Sequence, residues 1–212
     1  MIPPDVALTE LETDALTEIV NIGVSRAASN LRKMVGDQVL LSVPTIEVVS
    51  QRRAARLISE RELPQLVAVR QDFTGPFSGR ALLIFPEANS LELVRAVTGN
   101  GLSAQELIDI EHEALAETGN IILNGCLATM GNMLHRSLTM TVPEVLRGDG
   151  EALFESWDGA GPDGLVLFLY IDFAVRKHDI RGYIAVLMDL PSLAVLKELL
   201  AEFIERVVGT DD

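Results

Sequence analysis

An α+β fold built from two copies of one half is what this sequence predicts, and three observations predict it. The polar phrase DALTEIVN at residues 14–21 returns as EALAETGN at residues 113–120. Glu18 and Glu117, Asn21 and Asn120, and Pro44 and Pro143 are all separated by the same 99 positions. Each phrase also opens the same series of segments: a long helix, an extended stretch holding that proline, a hairpin and a shorter helix. A period this long is beyond a solenoid unit. Two such halves, 1–102 and 103–212, most simply form one domain. They would share one largely antiparallel sheet, with the two long motif-bearing helices and further helices packed on it.

The elements follow in order. From Leu8 to about Met34, Leu8, Leu11, Ala15, Ile19, Ile22 and Ala27 recur at three- and four-residue steps, the period of a helix with one buried face. Thr9 is an N-cap with Glu12 three residues on, a capping box, and Gly36 supplies the stop. VLLSVPTIEVV follows as extended chain interrupted at Pro44. ISERELPQL, residues 58–66, reads as a short helix, and LVAVRQDFTG and SGRALLIFP read as strands around a turn at GPFSG. NSLELVRAVTG closes the half, with Asn89 or Ser90 as cap and Gly99 as terminator. After the turn-rich TGNGLS the order begins again, with a helix from Ser103 to about Leu134 and the extended SLTMTVPEVL. GDGEALFESWDGAGPDG, residues 148–164, reads as a mobile loop. LVLFLYIDFAV and GYIAVLMDLP form a second hairpin, and SLAVLKELLAEFIERV closes the chain, with Ser192 where Ser90 stood.

Bulk properties narrow the function. The 212 residues carry a net charge of −14, so phosphate backbones and anionic lipid repel the chain, and neither nucleic acid nor membrane is an expected partner. A basic patch on a protein partner fits better. Cys126 is the sole cysteine, which excludes an internal disulfide and a thiolate zinc cluster; in IILNGCLATM it reads as a small buried hydrophobe. The first residues lack a basic region and a long apolar run, so no signal peptide is expected. GLVLFLYI is too short to span a bilayer. The expected location is the cytoplasm.

On a helix, Asp14, Glu18 and Asn21 share one face, which Ser25 extends; Glu113, Glu117, Asn120 and Asn124 do the same. Ala15, Ile19 and Ile22, and Ala114, Ile121 and Leu127, take the other side, so each stripe should face solvent. One E-x-x-N on an amphipathic helix is only a polar face. Two matched copies of a mid-helix Asn are more, because Asn is a mediocre helix former kept for caps and turns. Its amide offers a donor and an acceptor without charge, which suits holding a water at a chosen angle. The Glu can pair with a lysine on a partner. His112, His135 and His178 are scattered, and His112 lies about 100° around the helix from Glu113, so neither a metal site nor a triad is expected. The pair is equipped to complete a site on another protein.

These residues resemble the CheC/CheX/FliY family of bacterial chemotaxis phosphatases. The family signature is Asp or Ser, three residues, Glu, two residues, Asn, then Pro after a gap of 22. DALTEIVN with Pro44 fits throughout; EALAETGN with Pro143 fits in Glu117, Asn120 and the proline, with Glu113 in place of Asp or Ser. Two spaced copies over nearly the whole chain point to the CheC type and to a CheC-like fold. The resemblance implies hydrolysis of the aspartyl phosphate on a CheY-type response regulator. Asn21 or Asn120 would position water for in-line attack, and Glu18 or Glu117 would engage the regulator's lysine. Asp14, Pro44, Glu113 and Pro143 would support the motifs. It implies no cofactor on this chain, with Mg2+ carried by the regulator. The rival reading is a non-catalytic module, a sink for the regulator or an adaptor for the CheD deamidase, which CheC relatives bind.

Overall fold

The computed structural model describes residues 7–36, 38–62, 65–98, 101–155, 164–175 and 178–209. The first half runs α1 (Glu10–Val35), β1 (Val39–Ser50), α2 (Gln51–Ser59), β2 (Leu66–Thr74), β3 (Gly79–Pro86) and α3 (Ser90–Thr98). The second runs α4 (Ala104–Met133), β4 (Thr139–Met140), β5 (Glu144–Gly148), α5 (Gly150–Glu155), β6 (Leu165–Val175), β7 (His178–Met188) and α6 (Leu190–Val208). Capping boxes start both long helices, Thr9 with Glu12 on α1 and Ser103 with Glu106 on α4. Gly36, in the left-handed conformation, ends α1.

All strands lie antiparallel in one sheet of order β1-β6-β7-β3-β2-β4, with β5 also on β2. Exchanging the halves turns β1 into β4 and β5, β6 into β2 and β7 into β3, and the order then reads the same backwards. A pseudo-two-fold axis therefore passes between β3 and β7. Each half's first extended segment pairs with the hairpin of the other: Ile46 lies opposite Leu169, and Val145 opposite Val69.

The sheet is covered on both faces. Along each central strand alternate residues fall into separate cores, as a pleated strand requires. Val67, Val69, Leu167, Leu169, Ile184 and Val186 pack under the long helices, while Leu66, Ala68, Val166, Phe168, Ala185 and Leu187 pack with α2 and α5. Burial on both faces is why LVLFLYI reads as a continuous apolar run. Helix α1 is held by Leu16, Ile19, Val20, Val24, Ala27 and Leu31, spaced at three and four residues and buried. Each of the Leu, Ile and Val side chains contributes about 1.5–3 kcal/mol. Leu11, expected on this face, is 57% exposed, because it precedes Leu16 by five residues and lies about 140° around the helix. Helices α1 and α4 cross where Gly23 backs onto Cys126; a Cβ there would stand 2.9 Å from the cysteine Cα. Burial pushes the Cys126 thiol up to about 12, leaving it a packing group.

Several local expectations are corrected. The short helix expected at 58–66 is α2, seven residues upstream and running directly from β1, with Ser50 accepting from Arg53 N. A proline at 64 is unfavourable in a helix interior, and residues 63 and 64 of the expected stretch lie outside the described residues. The expected loop at 148–164 holds α5, whose Leu153 and Phe154 are buried, and Asp149 caps it by accepting from Ala152 N at 2.8 Å. Residues 156–163 of that stretch, and Gly99, lie outside the described residues. Helix α3 grows from a 3-10 turn at Glu87–Asn89 without a side-chain cap. Helix α6 is capped by Asp189, not Ser192; Ser192 Oγ instead accepts from Ser78 N at 3.1 Å.

Candidate functional site

Each long helix presents its motif at one end of the pseudo-symmetric sheet. On α1, Asp14, Glu18 and Ser25 are exposed and Asn21 is half-buried, one turn from Glu18. Asn21 is anchored: its Oδ1 accepts from the backbone N–H of Val43 at 3.3 Å. The reason lies in β1. Its pairing with β6 shifts between Ser42 and Thr45, so Val43 and Pro44 stand out of the ladder. Pro44 has no N–H to give β6. The interruption frees the N–H of Val43, and that N–H meets the amide 22 residues earlier in the chain. With its carbonyl turned inward, Asn21 directs its NH2 group away from β1, and no described residue bonds it. Beside it lies a shallow depression lined by Glu18, Asn21, Ile22, Ser25, Arg26 and Ser29.

The second edge repeats this in outline. Glu113 and Glu117 are exposed, Asn120 and Asn124 are half-buried, and Val142 and half-buried Pro143 separate β4 from β5 as Pro44 interrupts β1. Its anchor differs. Asn120 Oδ1 accepts from Gln71 Nε2 at 3.1 Å and from Asn124 Nδ2 at 2.7 Å. Gln71 Nε2 also donates to the carbonyl of Thr141 at 2.9 Å. Thr141 is fixed in turn by Asp72: its N donates to the Asp72 carbonyl at 2.9 Å, and its Oγ1 accepts from Asp72 N at 3.0 Å. Val43 is 2% exposed and its counterpart Val142 is 81% exposed, so only the second edge offers an apolar side chain to solvent there.

The surroundings are charged but mostly paired. The Asp72 carboxylate accepts from Arg80 Nε at 2.6 Å and Nη2 at 2.9 Å, and this bidentate guanidinium holds its pKa below the usual carboxylate range. Arg70 pairs with Glu144, and Arg147 Nη2 lies 2.8 Å from Glu111. Arg26 donates to Thr129 Oγ1 at 3.3 Å across the two helices. Among the described residues no group of three His, Cys, Asp or Glu side chains could hold a metal ion, and no helix is long and apolar enough to cross a membrane.

The structure thus brings Glu18 to Asn21 and Glu117 to Asn120 on exposed helix edges, with Asp14 and Glu113 a turn before them. Pro44 and Pro143 lie at ladder interruptions; of the Pro44 side chain nothing is described. The residues not anticipated are Val43, Gln71 and Thr141, the anchors. Gln71 left one signal: Val67, Val69, Gln71 and Phe73 share the inward phase of β2, and a glutamine is out of place there.

The family described as "Chemotaxis phosphatase CheX" matches residues 67–158, which include the second motif, and the "CheC-like family" matches residues 11–48, which include the first with Pro44. The Bacillus subtilis (strain 168) protein named flagellar motor switch phosphatase FliY is 25% identical over 140 residues, 65% of this chain but 36% of that one. The Halobacterium salinarum protein named putative CheY-P phosphatase CheC1 is 23% identical over 139 residues, 64% of this chain and 69% of that one. The crystal structure of Thermotoga maritima FliY superposes with a TM-score of 0.71, covering 92% of this chain and 98% of that one at 18% identity.

Proposed function

The chain belongs to the CheC/CheX/FliY family of chemotaxis phosphatases, and from that premise we propose that it hydrolyses the aspartyl phosphate of a CheY-type response regulator. The observation that carries the reading is the anchored amide. Asn21 and Asn120 each spend their carbonyl oxygen on the protein and turn an N–H donor outward, one turn from an exposed glutamate.

In this mechanism a helix edge docks over the phosphorylated aspartate. Asn21 or Asn120 donates to a water oxygen and holds it in line with the phosphorus. The water oxygen bonds to phosphorus as the bond from phosphorus to the aspartate oxygen breaks. Inorganic phosphate and the free carboxylate leave, with the water's proton passing to phosphate or solvent. Glu18 or Glu117 pairs with the regulator's lysine and fixes the docking angle. The metal ion of this chemistry is part of the regulator. Phosphoryl transfer of this kind is catalysed by positioning and electrostatics rather than by a covalent nucleophile, which suits a site without one.

The test is the decay of the phosphorylated regulator with and without this protein. Decay should accelerate with the parent chain and return almost to the spontaneous rate with Asn21→Ala/Asn120→Ala, while binding of the regulator persists. A double variant as active as the parent would refute the assignment. Loss of binding together with activity would favour a docking module.

A further inference from the structure

We propose that Gln71 is a positioning residue of the second edge, fixing which end of the Asn120 amide faces outward. The inference rests on the function proposed above and adds a residue outside both motifs.

The orientation follows from one backbone atom. The Thr141 carbonyl can only accept, so the end of Gln71 that meets it is the nitrogen, at 2.9 Å. The same nitrogen lies 3.1 Å from Asn120, and a donor there requires the oxygen end of that amide. Asn124 Nδ2 donates to the same oxygen at 2.7 Å, so both its lone pairs are engaged. The NH2 end of Asn120 is thereby turned away from the sheet. Thr141 is itself held by two hydrogen bonds to the Asp72 backbone, so the line from β2 to the half-buried Asn120 amide is tied at each step.

The fold does not need a polar residue at this point. Val67, Val69 and Gln71 correspond through the pseudo-two-fold to Leu167, Leu169 and Ile171, and Ile171 is buried in the same core. Gln71 is 1% exposed, and its Oε1 is buried without a hydrogen-bond partner among the described residues. A buried carbonyl oxygen without a donor is destabilising. The sheet therefore packs an isoleucine at one site and tolerates a half-satisfied amide at the other, next to a motif asparagine. Helix α4 is brought within reach by Gly119, where a Cβ would stand 2.4 Å from Val69 Cγ1. The corresponding residue of α1 is the buried Val20.

The test isolates the second edge in an Asn21→Ala chain and follows dephosphorylation of the regulator at increasing concentrations. Adding Gln71→Met, which keeps the volume and removes the donor, should lower the maximal rate at least about tenfold, the scale of a misplaced positioning group. Gln71→Ile, which copies the opposite half, should do the same. The half-saturating regulator concentration should not change, and the melting temperature should hold or rise, because the orphaned oxygen is gone. An unchanged maximal rate overturns the proposal. So does a melting temperature that falls with the rate, which makes Gln71 a structural residue only. An inactive Asn21→Ala chain also overturns it, since Gln71 then holds no working amide. The function itself fails on a different result, full activity of Asn21→Ala/Asn120→Ala.

Discussion

Replacing Gly119 with alanine tests whether a close helix approach sets the depth of the second edge. The added methyl would stand 2.4, 2.5 and 2.7 Å from Val69 Cγ1, Cβ and Cγ2. Carbon atoms in contact prefer about 3.5–4.0 Å. Rotating Val69 moves its two methyls but not its Cβ, which the β2 backbone fixes. Relief therefore requires α4 to lift from β2 by about 1 Å, the difference between those distances. Overpacking of this kind costs about 1–3 kcal/mol, and a clash with three atoms belongs in its upper part. The helix gains about 1 kcal/mol from exchanging Gly for Ala. The net loss is about 1–2 kcal/mol, which lowers the melting temperature of a chain this size by about 2–8 °C. The assay is thermal unfolding by circular dichroism beside Gly101→Ala, where no atom lies within 4 Å of the added Cβ, and which should melt like the parent. The lift has a second consequence. The 3.1 Å bond from Gln71 to Asn120 would stretch beyond hydrogen-bond range, so on the proposed function dephosphorylation by the second edge should fall with stability. A Gly119→Ala chain that melts at or above the parent would refute the reasoning, because α4 would then have room for the methyl.

Two further predictions concern the whole fold. The Asp72–Arg80 pair depresses the Asp72 pKa in the folded chain, so its stabilisation is present above the ordinary aspartate value and is lost as pH falls through the folded one. The gap in melting temperature between parent and Asp72→Asn should thus be constant near neutrality and close below about pH 4; a gap that persists unchanged at pH 3 contradicts the assignment. The gap itself should be small, since the Asp72 side chain is 39% exposed and the pair is screened. We further propose that neither half folds alone as a monomer, because β1 pairs with β6 and β5 with β2. Residues 1–102 and 103–212 expressed separately should lack a cooperative melt and regain it when mixed; a monomeric half with a sharp transition would show the cross-pairing to be dispensable.

The parts legible in the sequence were those written in local periodicity. Both long helices, both hairpins and the capping box at Thr9 follow from residues a few positions apart. Helix α2 is hard to place from sequence because it has no loop before it: Ser50 ends β1 and caps the helix at once, so no turn residues mark its start. Helix α5 was hidden by the Gly- and Asp-rich stretch around it, although Asp149 followed by GEALF is a cap before an apolar turn. The cross-half pairing was not legible, since strand partners 65 to 136 residues apart leave no local mark. The motif residues were visible as a repeat, but their anchors were not, because Val43, Thr141 and Gln71 act through positions and partners that only the folded chain brings together.

The repeat that makes the motifs conspicuous also conceals how far the two edges have diverged. At matched backbone positions, among the described residues, Asn21 accepts one hydrogen bond, at 3.3 Å from Val43, and Asn120 accepts two, from Asn124 and from a Gln71 that is itself held by Thr141. Among the described residues the first amide is tied at one point and the second at two. Holding a donor in its working orientation before the partner arrives removes an ordering cost from each encounter. Fixity has its own cost at the second edge, where the oxygens of Gln71 and Asn124 are buried without donors among the described residues. On the proposed function, the second edge should therefore have the higher rate once the regulator is docked, despite Glu113 in place of the usual Asp or Ser, and the first should be the less sensitive to substitutions in the sheet beneath it. A duplicated scaffold supplies two helix edges of one geometry, but each amide takes its orientation from whatever the strand below presents, here a backbone N–H and there a glutamine.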